Sequence, residues 1–321
     1  MDSYDIIGDV HGCARELEQL LSLLGYEPDA AGAYRHPERS LIFVGDLIDR
    51  GAGQLRVLEI VKATADAGAA QVVMGNHEFN AIAFNTEWPA ASDNYLRKHS
   101  SKNQRQHAAF LDQVPDEQRR RYIEWFMTLP LWLDLGDLRV VHACWHEPSI
   151  QTVEKVLGSN RFSTLEQIAL ASDSSDDLYT AVEVLLKGPE LEMAPFKLPP
   201  YRDKGGDLRS RARLRWWVDG ATTLADLAMI EPNFTTEANE PYPDLPNDEV
   251  PAEDRAYVYD GAVPVFFGHY WRQGAPAEKK DWSERAACVD FSVAKGGPMT
   301  AYRWSGENII DPTNFVQVSG S

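Results

Sequence analysis

The chain has 321 residues, 44% hydrophobic and 25% charged, which suits a soluble globular protein with a full buried core. Its 49 acidic and 31 basic side chains give a net charge of −18, a field that repels polyanions and disfavours a nucleic-acid track. The longest apolar runs, such as Ser40 to Val44 and Val263 to Phe267, fall far short of the roughly 20 residues needed to span a bilayer, so no membrane segment is expected.

The acidic start, Met1-Asp2-Ser3-Tyr4-Asp5, differs from the basic opening of a secretory signal, and Cys13, Cys144 and Cys288 are too scattered for a disulfide framework. Both features lead to the expectation of a reducing, cytoplasmic setting. The first ninety residues then repeat one unit three times. Asp5 to Ile7 is a short strand ending in Gly8-Asp9, with Leu17, Leu20, Leu21 and Leu24 marking a helix face behind it. Ser40 to Val44 ends in Gly45-Asp46, and Leu55, Leu58 and Val61 mark the next helix. Ala70 to Met74 ends in Gly75-Asn76, with helix signals from His77 to about Asn85.

Two later strands end in histidine: Leu138 to Val141 before His142, and Val263 to Phe267 before Gly268-His269. Ligands of open α/β sheets gather beyond the carboxyl ends of strands, so five segments deliver polar groups to one rim. Ala286 to Asp290 and Pro298 to Trp304 read as a closing antiparallel hairpin across Lys295-Gly296-Gly297. The 126 residues between His142 and His269 exceed a simple crossover, and residues 147–262 are expected to form an inserted cap. Within them, Glu231 to Asp254 holds eight acidic residues, five prolines and no Lys or Arg, the composition of an extended solvated loop.

The segments carry chemistry at their ends. Asp9-Val10-His11 can point a carboxylate and an imidazole at one ion. Gly45-Asp46-Leu47-Ile48-Asp49-Arg50-Gly51 offers a metal-binding carboxylate, a second to orient a neighbour, and a guanidinium suited to phosphate. Gly75-Asn76-His77-Glu78 adds an amide ligand beside an imidazole that can move protons. These motifs, followed by Val141-His142-Ala143 and Gly268-His269, stand in the order of the calcineurin-like metallophosphoesterase superfamily, which the chain resembles from Tyr4 to about Trp304 outside the insertion. The superfamily often ends in Gly-His-x-His, whereas this chain has Gly268-His269-Tyr270-Trp271. That departure resembles the branch of Ser/Thr phosphoprotein phosphatases and bacterial symmetrical diadenosine tetraphosphatases. Ala143-Cys144 replaces the glycine that usually follows His142.

The resemblance implies an α/β sandwich of two mixed β-sheets flanked by helices. It implies two divalent metal ions, manganese first, with iron, zinc or cobalt as alternatives. One would be held by Asp9, His11 and Asp46 and the other by Asp46, Asn76, His142 and His269, with a hydroxide between them attacking phosphorus. His77 would protonate the leaving group, Asp49 would orient His77, and Arg50 would hold the phosphoryl oxygens. The expected substrate is a phosphomonoester, such as a Ser/Thr phosphoprotein or a nucleotide; the alternatives are a symmetrical dinucleoside polyphosphate or an inactive metal-binding module.

Other residues have plainer readings. Arg209, Arg211, Arg213 and Arg215 recur at period two, so a single strand would put all four on one face. They are either a solvated stripe or a second phosphate grip, with Arg213 and Arg215 matching an Arg-x-Arg of the tetraphosphatase branch. Trp216, Trp217, Tyr270 and Trp271 fill a core or stack on a base. Cys13 and Cys144 read as small buried residues, and His146 is not expected to bind metal because a strand precedes His142. His36, His99 and His107 lie in polar segments and receive no role.

Overall fold

Each apolar run that precedes a polar motif becomes a short buried strand, and the helix behind it covers one face. The computed structural model describes residues 3–203, 206–274, 276 and 282–320. Strand β1 (Tyr4–Ile7) leads to α1 (Ala14–Leu24), whose Leu17, Leu20, Leu21 and Leu24 are buried. Gly25 ends that helix at φ 89°, a conformation that costs other residues a Cβ clash. A ribbon of β2 (Glu27–Pro28) and β3 (Tyr34–Arg35) precedes β4 (Ser40–Phe43), α2 (Gln54–Asp66), β5 (Ala70–Val72) and α3 (Asn76–Asn85). Helix α3 is buried from Asn76 to Phe84, so it lies inside the protein. Then come α4 (Ser101–Gln113), α5 (Asp116–Phe126), β6 (Trp132–Asp134), β7 (Arg139–Val141), α6 (Glu147–Leu157), α7 (Leu165–Ala171) and α8 (Asp177–Lys187).

The chain divides into two compact units, residues 1–187 with 262–321, and residues 188–261. The expected insertion, 147–262, therefore covers α6 to α8, which group with the first unit, and a stretch that is compact by itself. This second unit contains β8 (Glu190–Glu192), β9 (Tyr201–Arg202), β10 (Leu208–Arg209), β11 (Arg211–Arg213), α9 (Leu224–Leu227), β12 (Thr235–Thr236) and α10 (Ala252–Arg255). Its core gathers Leu191, Tyr201, Leu214, Leu224, Leu227 and Phe234.

The first unit closes with β13 (Val265–Phe267), β14 (Ala286–Cys288), β15 (Met299–Trp304) and β16 (Phe315–Val318). Its two sheets run β16-β15-β1-β4-β5 and β14-β13-β7-β6. In the first, β1, β4 and β5 are parallel, β15 runs antiparallel to β1 and β16 antiparallel to β15; in the second, β14, β13 and β7 are parallel and β6 is antiparallel to β7. Both sheets are mixed, as expected. One core, with Ile6, Ile42 and Tyr302 from the first sheet, Val73 just after β5, and Val140, Phe266 and Ala287 from the second sheet, joins them into a sandwich.

The expected terminal hairpin is corrected. Strand β14 pairs parallel to β13 in the second sheet, whereas β15 pairs with β1 and β16 in the first. Between them Ser292 and Gly296 adopt left-handed conformations around a single 3-10 turn, Val293–Lys295, which carries the chain from one sheet to the other.

Candidate metal centre

Parallel registers align the strand ends. Ile6 pairs with Ile42 and Phe43 with Val72, so Asp9, Asp46 and Asn76 leave one edge of the first sheet. Phe266 pairs with Val140 and Phe267 with Cys288, so His142, His269 and Asp290 leave the matching edge of the second. All six are buried.

Backbone carbonyls fix two of the imidazoles. A carbonyl only accepts, so His11 Nδ1–H donates to Ile48 O (2.8 Å) and His142 Nδ1–H to Val44 O (2.7 Å). Whenever either ring is neutral, Nε2 carries the lone pair and can bind a cation. His11 Nε2 lies 3.6 Å from Asp46 Oδ2 and 4.0 Å from Asp9 Oδ2. Burial, with His77 nearby, pulls the His11 pKa down to about 3, which keeps the ring neutral. His142 Nε2 lies 3.1 Å from Asn76 Oδ1 and 3.4 Å from Asp46 Oδ1. The His269 backbone N–H is 3.2 Å from both oxygens of Asp9, tying the last motif to the first.

The backbone is bent to make these contacts. His11, Asp46, Asp49, Arg50 and His269 have φ between 45° and 74°, a conformation that costs a residue with a side chain about 1–3 kcal/mol. Such strain persists only where the surroundings enforce it. Glu78 is one such constraint: Oε2 accepts from Asp46 N (2.8 Å) and Gly75 N (2.9 Å), and Oε1 from Leu47 N (2.8 Å). Gly268 is another, because a Cβ there would stand 2.0 Å from Asp9 Oδ1.

Donor atoms of His11, Asp46 and His77 lie within 4.8 Å of one another, as do those of Asp46, His142 and His269. Asp46 belongs to both groups. The donors are oxygen and imidazole nitrogen without thiolate, and His11 Nε2 is buried with no hydrogen-bond partner among the described residues. This set fits a pair of divalent cations. Burial, with the Asp290 and Asp46 carboxylates close by, holds Asp9 well above the usual carboxylate range, a repulsion that cations relieve.

His77 is oriented by its other nitrogen. Its Nδ1 lies 2.5 Å from Asp49 Oδ2, and its Nε2 lies 3.5 Å from Arg50 Nη2. Burial opposes the charged ring, but Asp46 and Asp49 outweigh it and raise the His77 pKa. Sequence reading gave His107 no role, yet its Nδ1 sits 3.0 Å from the same Asp49 oxygen and its ring is buried in α4. Its spacing from the motifs carried no signal; only the docking of α4 brings it in. Asp290 was also missed as a site group. It accepts from Trp271 N (2.8 Å) and Ser292 N (2.9 Å).

Burial sorts the remaining aromatic and thiol groups. Trp216, Trp217 and Tyr270 are buried and cannot offer a stacking face, whereas Trp271 is partly open, with Arg50 Cζ and Lys295 Nζ each 4.2 Å from its ring centroid. Burial pushes the Cys13 thiol up to about 11 and Cys144 well above the usual range, so neither is an activated nucleophile. The single arginine strand is also corrected. Arg209 lies in β10, paired to Asp203, while Arg211 and Arg213 lie in β11 of another sheet, with Arg211 paired to Glu192. Ser210 ends one strand before the other begins, and Arg215 follows β11.

A family model described as calcineurin-like phosphoesterase matches residues 4–225. The chain belongs to the calcineurin-like phosphoesterase family. The matched span carries every motif up to His142, and the fold brings His269 in from beyond it. Among curated proteins, the asymmetrical bis(5'-nucleosyl)-tetraphosphatase PrpE of Oceanobacillus iheyensis is 32% identical over 141 residues, which cover 43% of this chain and 54% of that one. The PrpE of Halalkalibacterium halodurans is 51% identical over 75 residues, 23% of this chain and 30% of its own. The chain thus spans about half or less of the length of these relatives. A solved serine/threonine phosphatase from Saccharomyces cerevisiae, with similarity to human phosphatase PP5, superimposes with a TM-score of 0.51 at 14% identity, covering 99% of this chain and 79% of that one. That likeness is one of fold. No helix among the described residues is long and apolar enough to cross a membrane.

Proposed function

We propose that this calcineurin-like phosphoesterase hydrolyses a phosphate ester or anhydride of a nucleotide or phosphoprotein at the centre around Asp46. The observation that carries this reading is the meeting of two donor groups on Asp46 beside a buried His77–Asp49 pair. Asp9, His11 and Asp46 would hold one cation, and Asp46, Asn76, His142 and His269 the other. Manganese is the first choice; iron, zinc and cobalt suit the same donors. When bound, such a pair supplies an activated water and offsets charge on the phosphoryl oxygens.

The chain's own groups do the rest. Asp49 holds His77 by Nδ1 and leaves Nε2 to give a proton to the departing oxygen. Arg50, placed over Trp271 and beside His77 Nε2, holds phosphoryl oxygens and stabilises the charge that spreads over them in the transition state. Only residues of the first unit enter this scheme; Arg213 and Arg215 remain candidates for a grip elsewhere on the substrate. The names of the PrpE relatives favour a dinucleoside polyphosphate among the substrates, cut asymmetrically rather than symmetrically. Three free thiols suit the proposed cytoplasmic setting.

Turnover of p-nitrophenyl phosphate by the manganese-loaded chain, abolished by chelator, is the expected result. A chain that binds two metals yet turns over neither this ester, mononucleotides, dinucleoside polyphosphates nor phosphopeptides would be an inert metal-binding module instead.

A further inference from the structure

Helix α4 forms one wall of a pocket of about 360 Å³, lined by Arg50 and His77 from the motifs and by Arg105, Gln106, Ala108 and Ala109 from the helix. That volume is in the range of small-ligand sites, and no carboxylate is among these residues. The two alanines leave room. The register of α4 against the site is fixed by three polar contacts. His107 Nδ1 reaches Asp49 Oδ2 at 3.0 Å, Gln113 Nε2 donates to Gly51 O at 3.1 Å, and Gln113 Oε1 accepts from Gln54 N at 3.1 Å.

Two donors on this wall are uncommitted. Arg105 is exposed and has no ion pair or hydrogen bond among the described residues. Arg15, Arg120 and Arg161 are likewise exposed without an ion pair or side-chain hydrogen bond among the described residues, but of these four only Arg105 lines the pocket with Arg50 and His77. Gln106 Oε1 accepts from Arg97 Nη2 at 2.8 Å, which orients the amide and leaves its Nε2 hydrogens as donors. A pocket with a guanidinium, an amide donor and no acid, in a chain of net charge −18, is built for an anion.

We propose that this pocket is a subsite for a phosphorylated leaving group, with Arg105 and Gln106 holding the phosphate next to the scissile bond of a nucleoside or dinucleoside polyphosphate. In that step a water oxygen bonds to the attacked phosphorus and gives up one proton, the P–O bond to the neighbouring phosphate breaks, and the His77 Nε2 proton passes to the departing oxygen, the proton released by the water restoring the one His77 lost. The subsite rests on the hydrolase reading of the His77 centre. It makes the enzyme favour phosphoanhydrides over esters of neutral alcohols.

The test uses the manganese-loaded full chain, with ADP as the probe of the leaving group and p-nitrophenyl phosphate as the ester. ADP affinity by calorimetry, and its inhibition constant against ester turnover, should weaken roughly tenfold or more in Arg105→Met, the loss expected for a charged hydrogen bond. Arg105→Lys should fall between, and Arg120→Met, an exposed arginine on α5, should change neither constant, which separates a local contact from the general field. The ratio of anhydride to ester turnover should fall in Arg105→Met, because the ester's leaving group carries no phosphate. If ADP does not bind, or binds equally to wild type and Arg105→Met, the subsite is wrong even where ester turnover is normal. If ADP binding depends on Arg105 but no ester or anhydride is hydrolysed, the anion site stands and the hydrolase reading fails.

Discussion

At the scale of single residues, Asp49 accepts from two imidazoles, and only one of them faces the metal donors. His77 Nδ1 and His107 Nδ1 both approach Asp49 Oδ2, at 2.5 and 3.0 Å. The second contact limits how the carboxylate can rotate and therefore how His77 is aimed. Replacing His107 by Leu should lower kcat by roughly 10–100-fold, the range for outer partners of metal-site groups, with metal content unchanged. His107→Asn, whose amide nitrogen stands near the place of Nδ1, should recover part of the loss. The loss should be smaller for aryl phosphates than for alkyl phosphates, since good leaving groups need less proton transfer. An equal loss for all leaving groups would mean that His107 serves packing alone. Gly268 gives a second residue-scale expectation. Its substitution by Ala would drive a Cβ against Asp9 Oδ1, now 2.0 Å from that position, so Gly268→Ala should lose metal, measured as ions bound per chain after dialysis. Full occupancy there would show that Asp9 moves freely or is not a ligand.

At the scale of elements, the strands and their polar ends were legible because each is a short apolar run closed by glycine and a ligand-type residue. Tyr4–Ile7, Ser40–Phe43 and Ala70–Val72 all appear where that pattern lies. Pairing was less legible. Ala286–Cys288 and Met299–Trp304 sit close in sequence with glycines between them, which suggests a hairpin, but burial in different sheets decided their partners. Helix α4 is polar over most of its length, with only His107 and Phe110 buried, so nothing in its sequence advertised its place beside the site. Glu78 was read only as part of a motif, although its carboxylate clamps the loops after β4 and β5 through three backbone N–H groups. An amide cannot accept at both ends. Glu78→Gln should therefore leave at least one buried N–H unmet and cost about 1–3 kcal/mol, seen as a lower melting temperature together with weaker metal retention. Unchanged melting and retention would show that the left-handed turn at Asp46, φ 50°, holds without the clamp.

At the scale of the whole molecule, charge and stability are distributed unevenly. Buried carboxylates Asp9, Asp46 and Asp290 gather at one edge of the sandwich in a chain that already carries excess negative charge, so the first unit should be least stable without cations. All six proposed ligands belong to that unit, whereas residues 188–261 have their own apolar core and none of the ligands. A ligand that binds only the folded form stabilises it by RT ln(1 + [L]/Kd), about 2.7 kcal/mol at a hundredfold excess over Kd. Amides of β1, β4, β5, β7 and β13, whose ends carry the ligands, should therefore gain protection from hydrogen exchange when manganese is added. Amides of β8, β9 and β11 should exchange at rates that do not change. Peptide-resolved exchange with and without metal, at constant pH and ionic strength, makes the comparison, and Asp46→Asn serves as a control in which the gain should vanish. If residues 188–261 gain as much protection as the ligand-bearing strands, the two units open as one and the separation drawn from their cores is wrong. If neither gains while metal is bound, the cations lie outside the edge formed by Asp9, Asp46, Asn76, His142 and His269.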